Sequence, residues 1–409
     1  MFDVDQQSFL VIVVVAAVAA VTVAAVPARV APPVVVVELL LGIVVGPQVL
    51  DLADTDDFIQ FMANLGLGLL FFFAGYEIEF DRIKGSPLKL AGIGWLLSLA
   101  LAYGLGGLLA AAGIVLSLLY TGSALATTAI GTLIPIMRDS GELPTRFGTF
   151  LLAAGAVGEF GPILLITLVL STSQPLTEAL VLVAFVILAI VLAVASMRLS
   201  TRGWPVVERT LESSSQLGVR LTVLLVFGLV ALAGSLGLDI LLGGFVAGMI
   251  TRTALRGREV PIFESKLTAV GFGFLIPFFF ITSGMKFDLD ALLAGPGPLL
   301  KMVLFLALFL IVRGVPALVL YRRELGSRDR VALAFFSATQ LPLVVAITTI
   351  ALDAGKMRSS TAAALVGAAI LSTLIFPFVG LALRRGAKAA DAPGDGAEPA
   401  APAAASAPA

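Results

Sequence analysis

The polar positions of this chain are few and are gathered into short breaks between long apolar runs. Together with Gly/Pro stretches they predict thirteen membrane-crossing helices, over residues 8–26, 33–46, 58–75, 88–110, 115–137, 147–171, 176–197, 217–235, 238–251, 266–284, 299–321, 331–351 and 361–383, numbered here as spans one to thirteen. Spans two and nine are short. Others carry proline within or near the end of the run, at Pro135, Pro162, Pro277, Pro316, Pro342 and Pro377. Breaks of this kind leave backbone groups unpaired, which a bilayer tolerates only inside protein or beside a cavity. The chain opens Met1-Phe2-Asp3-Val4-Asp5, acidic where a secretory signal is basic, so span one reads as a retained helix.

Composition turns this pattern into a class. Hydrophobic residues make up 59% of the 409 and charged residues 13%, with mean hydropathy +1.07. That leaves too little polar surface to coat a water-soluble particle, and the bilayer is the expected partner. The 26 basic and 27 acidic residues nearly cancel, so no nucleic-acid partner is expected. Cysteine and histidine are absent, which excludes disulfides, thiolate or imidazole metal sites, and Ser-His-Asp or Cys-His nucleophiles. No cofactor and no enzymatic activity are expected. Any proton this protein moves must ride on a carboxylate.

Charge placement orients the spans. With the N-terminus outside, 21 of the 26 basic residues fall in inside segments, four fall outside, and Arg313 lies within span eleven. One missed or invented helix would scramble that split, so the positive-inside rule predicts the N-terminus out and the C-terminus in the cytoplasm. The lack of a targeting segment favours a bacterial inner membrane. The Ala/Pro-rich tail, 387–409, cannot bury a core and is expected to be disordered.

The two halves echo one another. Span two reads Glu38-Leu-Leu-Leu-Gly42-Ile-Val-Val-Gly46, and span nine reads Asp239-Ile-Leu-Leu-Gly243-Gly244-Phe-Val-Ala-Gly248, with one residue inserted. Span three ends Gly75-Tyr-Glu77-Ile-Glu79-Phe-Asp81, and span ten ends Gly284-Met-Lys286-Phe-Asp288-Leu-Asp290, an offset of 209. Matched spans lie seven crossings apart, an odd number, so the expected architecture is two inverted five-helix repeats, spans 2–6 and 9–13. Inverted repeats with broken helices characterise secondary transporters, whose sites lie at the midplane.

Several polar groups stand where the membrane midplane is expected. Glu159 is at the centre of span six, in Gly155-Ala-Val-Gly158-Glu159-Phe160-Gly161-Pro162. A carboxylate there costs about 2.5–3.5 kcal/mol on insertion scales and usually faces a cavity or a partner. In a dry site it is stable either as the neutral acid or paired with a cation, so one group can exchange a proton for Na⁺ or K⁺. Carbonyls freed by Pro162 and the glycines could add oxygen ligands. Arg313, in span eleven, is either the partner of Glu159 or the neutraliser of freed helix-end carbonyls. Glu38 is also mid-span, at an expected helix contact. Span five centres on Ser123-Ala-Leu-Ala-Thr127-Thr128, and span twelve on Ser337-Ala-Thr339-Gln340-Leu-Pro342. Both are small, hydroxyl-rich and breakable, and crossed broken helices would aim their ends at one midplane point.

With these features together, the sequence resembles the monovalent cation:proton antiporter superfamily, in its bacterial Na⁺/H⁺ and K⁺/H⁺ exchanger-like branch. The stretches that carry the resemblance are Glu38 to Pro47, Leu65 to Glu79, Ala124 to Ala129 and Phe278 to Asp288. The resemblance implies an all-α sodium/proton antiporter-like fold over residues 1–386. Scaffold helices (about 8–75 and 217–284) would pair two protomers into a homodimer. Core helices (about 88–171 and 299–383) would carry the ion elevator-fashion, with a linker helix at about 176–197. It also implies Glu159 as the essential carboxylate, Thr127 and Thr128 as ion contacts, Arg313 as the core's cationic residue, and Ser337 to Pro342 opposite. Where the family usually has Asp or Asn followed by Asp, this chain has Gly158 and Glu159. The implied function is exchange of a monovalent cation, Na⁺ or K⁺, for protons. A cation channel and a non-transporting scaffold or sensor are the alternatives, and the chain has no carbonyl-filter motif for the first.

Overall fold

A computed structural model describes residues 5–27, 32–78, 80–169, 210, 213–238, 240–255 and 260–391, with a discontinuous set between 181 and 195. Every regular element among them is a helix. Among the described residues nine helical stretches, the interrupted Ser327–Asp353 included, are long and apolar enough to cross a membrane, and three shorter apolar stretches, Val34–Val45, the interrupted Leu118–Ile134 and Leu241–Ala254, accompany them. Span one is Gln6–Ala25, span two Val34–Val45 and span three Asp57–Tyr76. Span four is Ser86–Ala111 and span six Arg146–Val169. Spans eight, nine, ten and eleven are Leu217–Ser235, Ile240–Ala254, Pro261–Met285 and Pro296–Leu320. Much of span seven lies outside the described residues, and those described between 181 and 195 are helical.

The breaks are more selective than proline content alone predicts. Spans six and eleven run through Pro162 and Pro316 without interruption. Span ten absorbs Pro277 with a π-helical turn, Gly271–Leu275, just before it. Spans five and twelve do break: Leu118–Leu125 from Ile130–Asp139, and Ser327–Ser337 from Pro342–Asp353. Span thirteen, Ser359–Asp391, runs past the predicted start of the disordered tail. Alanine and lysine through Asp391 are strong helix formers, which corrects that boundary. Residues 392–409 lie outside the described set.

The helices pack chiefly within two groups. Spans one, two, three, eight, nine and ten form one; spans four, five, six, eleven, twelve and thirteen form the other. Links between the groups are sparse. One is a ring stack of Phe160 on Phe245, 4.8 Å between centroids and 15° from parallel.

Inside the first group the backbones touch. Gly42 and Gly46 of span two lie against Ile281 and Met285 of span ten, while Gly244 and Gly248 of span nine lie against Gly68 and Phe72 of span three. In return Gly284 meets Leu39 and Gly75 meets Phe245. A β-carbon at any of these glycines would collide with backbone atoms, so the approach depends on their having none. In both pairs residue numbers rise together, so each pair runs parallel.

Candidate functional site

Breaking span five frees backbone groups, and several of them find partners on other spans. Pro162 has no amide hydrogen, so the carbonyl of Gly158, four residues earlier, lacks its helical donor. The amide of Thr128 takes that carbonyl at 3.0 Å. The neighbouring amide of Ala129 donates to the carbonyl of Thr339 in the break of span twelve, at 2.9 Å. The Gly158 carbonyl, expected to be free for an ion, is therefore occupied.

Each first half-helix is capped from the opposite break. Leu125, the last residue of Leu118–Leu125, offers its carbonyl to Gln340 Nε2 at 3.2 Å, and Gln340 Oε1 accepts from the Thr127 hydroxyl at 2.8 Å. Ser337, the last residue of Ser327–Ser337, offers its carbonyl to the Thr128 hydroxyl at 2.6 Å. Ser372 accepts from the Gln340 amide at 3.0 Å, and Thr373 lies 3.1 Å from the Gln340 carbonyl. Pro342 opens the second half-helix, where its missing donor costs nothing. Thr127, Thr128, Ser337, Thr339, Gln340 and Pro342 are all buried and meet at one crossing.

Arg313 sits in the same crossing, 4% exposed. Its Nε donates to Thr128 Oγ1 at 2.9 Å, with the Ser337 carbonyl oxygen 3.4 Å away. Nη1 donates to Ser98 Oγ at 3.1 Å and Nη2 to the Ala154 carbonyl at 3.1 Å. All these acceptors are neutral. One of them, the Ser337 carbonyl, is a half-helix end, and among the described residues no ion pair joins Arg313 to Glu159. The cause is local: a β-carbon at position 158 would fall 2.8 Å from Thr128 Oγ1 and within contact of the guanidinium. Arg313 fills the space that glycine leaves.

Glu159, the next residue, is 2% exposed. Its carboxylate lies beside the backbone amides of Ile130 and Gly131, the first residues of the second half-helix of span five. Those donors have no partner inside their own helix, and the positive helix end favours an anion. Glu159 Oε2 has no hydrogen-bond partner among the described residues. Ile130 also lines a cavity of about 10 Å³, roughly one water in size, with Ala74, Glu77 and Ile78 of span three.

Glu38 is buried a turn before Gly42 and takes no part in the crossing. Ser98, Ser372, Thr373 and the Ala154 carbonyl were not anticipated, although hydroxyls inside apolar runs were the signal that marked Thr127 and Thr128. What single-sequence reading lacked was the knowledge that spans four and thirteen flank the breaks.

The profile of the family described as sodium/hydrogen exchanger, transmembrane, matches residues 12–381. This chain belongs to that family. Its members are transporters and not enzymes. Relatives of this chain include the putative Na⁺/H⁺ antiporter YjbQ of Bacillus subtilis, 25% identical over 370 residues. That match covers 85% of this chain and 58% of YjbQ, so this chain spans well under two thirds of that relative's length. The Na⁺/H⁺-K⁺ antiporter GerN of Bacillus cereus is 24% identical over 363 residues, covering 85% of this chain and 89% of GerN. In fold this chain is similar to the sodium proton antiporter MjNhaP1 of Methanocaldococcus jannaschii, with TM-score 0.59, 15% identity, and coverage of 94% of this chain and 97% of that one.

Proposed function

We propose that this exchanger trades a monovalent cation for a proton, with Glu159 as the group both compete for. The observation that carries the reading is the state of that carboxylate: buried, beside two helix-end amides, unpaired with Arg313, and left with one oxygen open. Such a group is stable as the acid or with a cation beside it, and not as a bare anion. Low pH fills it with a proton and excludes the cation. Arg313, fully engaged by neutral acceptors, holds the two broken helices together through both states. The names of YjbQ and GerN support Na⁺ and K⁺ as the cations to consider.

The two packing groups support an elevator in which spans four to six and eleven to thirteen move as the core against the rest. The parallel running of spans three and nine supports an odd number of crossings between them, as the thirteen-span, inverted-repeat topology requires. The basic-residue split supports a cytoplasmic C-terminus in a bacterial inner membrane, and the family resemblance supports a homodimer.

Proton flux in proteoliposomes with an imposed pH gradient tests the reading, with Na⁺, K⁺ and Li⁺ added in turn. The expected result is cation-triggered collapse of the gradient, abolished in a folded Glu159→Gln variant. A gradient indifferent to every cation would leave a scaffold or sensor, and flux without a counter-ion would leave a channel.

A further inference from the structure

The expected ion contacts, Thr127 and Thr128, are already committed. Thr127 donates to Gln340, and Thr128 donates to Ser337 while accepting from Arg313. Neither hydroxyl is directed at Glu159 in this arrangement. One residue beyond the two amides that lie beside Glu159, on the same first turn of Ile130–Asp139, stands Thr132. It is 9% exposed, and its Oγ1 is buried with no hydrogen-bond partner. Two unsatisfied buried oxygens, Glu159 Oε2 and Thr132 Oγ1, thus belong to Glu159 and to the residue that follows Gly131, whose amide lies beside Glu159. A buried hydroxyl without a partner is costly and calls for an explanation.

We propose that Thr132 is the second side-chain oxygen ligand of the transported cation, its hydroxyl and Glu159 Oε2 facing the same ion. The ligand class is a dehydrated monovalent cation, a hard ion that takes neutral and anionic oxygens. Glutamate, one methylene longer than aspartate, suits a carboxylate that must reach this half-helix. The proposal rests on Glu159 as the exchange site and adds the residue that sets cation affinity. Because Thr132 does not titrate, it acts on the cation half of the cycle alone.

The test measures apparent KM and maximal rate for Na⁺, K⁺ and Li⁺ in proteoliposomes for wild type, Thr132→Val, Thr132→Ser and Thr132→Ala. Removing a ligand to a charged species is expected to raise the cation KM by about tenfold or more in Val and Ala. Maximal rate at saturating cation should change little. Ser, which keeps the oxygen, should stay within about threefold of wild type. A role in packing alone predicts the reverse order, with isosteric Val mildest and Ser as impaired as Ala. Wild-type KM values in Val or Ala, or equal impairment in Ser and Ala, overturn the proposal. If Val does not fold, the Ser–Ala comparison decides the matter. Absence of cation-dependent flux in wild type would instead overturn the exchange reading.

Discussion

At position 158 the side chain that is missing has been replaced by one from another helix. Arg313 occupies the volume above Gly158, and nothing larger than hydrogen fits beneath it. Gly158→Val should therefore displace the guanidinium and cost about 1–3 kcal/mol, as overpacked cores do, read as a lower unfolding temperature in detergent. Arg313→Met goes further, because it strips donors from Ala154, Ser98 and Thr128 at once. Its melting temperature should fall below that of Arg313→Lys, which keeps a charge and three donors. At the surface, Glu324 accepts from Ser86 at 2.9 Å and pairs with Arg146, and these contacts hold its carboxyl below the ordinary carboxylate range. A depressed pKa gives stability that is present at neutral pH and lost as pH falls through the folded-state value. Thermal stability should accordingly drop on acidification below about pH 4.5, and the drop should be smaller in Ser86→Ala.

Among elements, the two broken spans behave as one unit stitched across its middle. Gln340 caps one half-helix and Thr128 caps the other. Gln340→Leu and Thr127→Val should be non-additive, with a coupling of about 0.5–3 kcal/mol in a double-mutant cycle of chemical denaturation. The breaks at 126–129 and 338–341 could be expected from clustered Ser, Thr and Pro342, since small hydroxyl residues loosen a helix that proline then ends. Glu159 and Arg313 were equally visible, because a charge inside an apolar run stands out against its neighbours. Which of its two roles Arg313 plays could not be read from the chain, for sequence gives opposite charges and not directions. Gly158 and Pro162 held the missing clue: one opens room for Arg313, and the other frees the carbonyl that Thr128 takes. Thr132 was passed over because one threonine in a helix ordinarily bonds back to the preceding turn.

For the molecule as a whole, the two packing groups are held by different means. In the group that contains Glu159, a buried ionic cluster ties three loops and helix ends. Arg384 Nη2 meets Glu142 at 2.8 Å, its Nη1 meets Asp329 at 2.5 Å, and the guanidinium lies 4.5 Å over the Phe147 ring. Arg384→Ala leaves Glu142, 3% exposed, without that cation, and should cost about 3–5 kcal/mol in unfolding free energy. The other group relies on glycines 42, 46, 75, 244, 248 and 284 at backbone contact. No residue is smaller than glycine, so these positions have no conservative replacement, and every single-nucleotide missense change there adds atoms where none fit. Drift can rewrite the lipid-facing apolar positions freely while this seam stays fixed. Among descendants of this gene, this glycine-lined interface should be the one that changes least over generations.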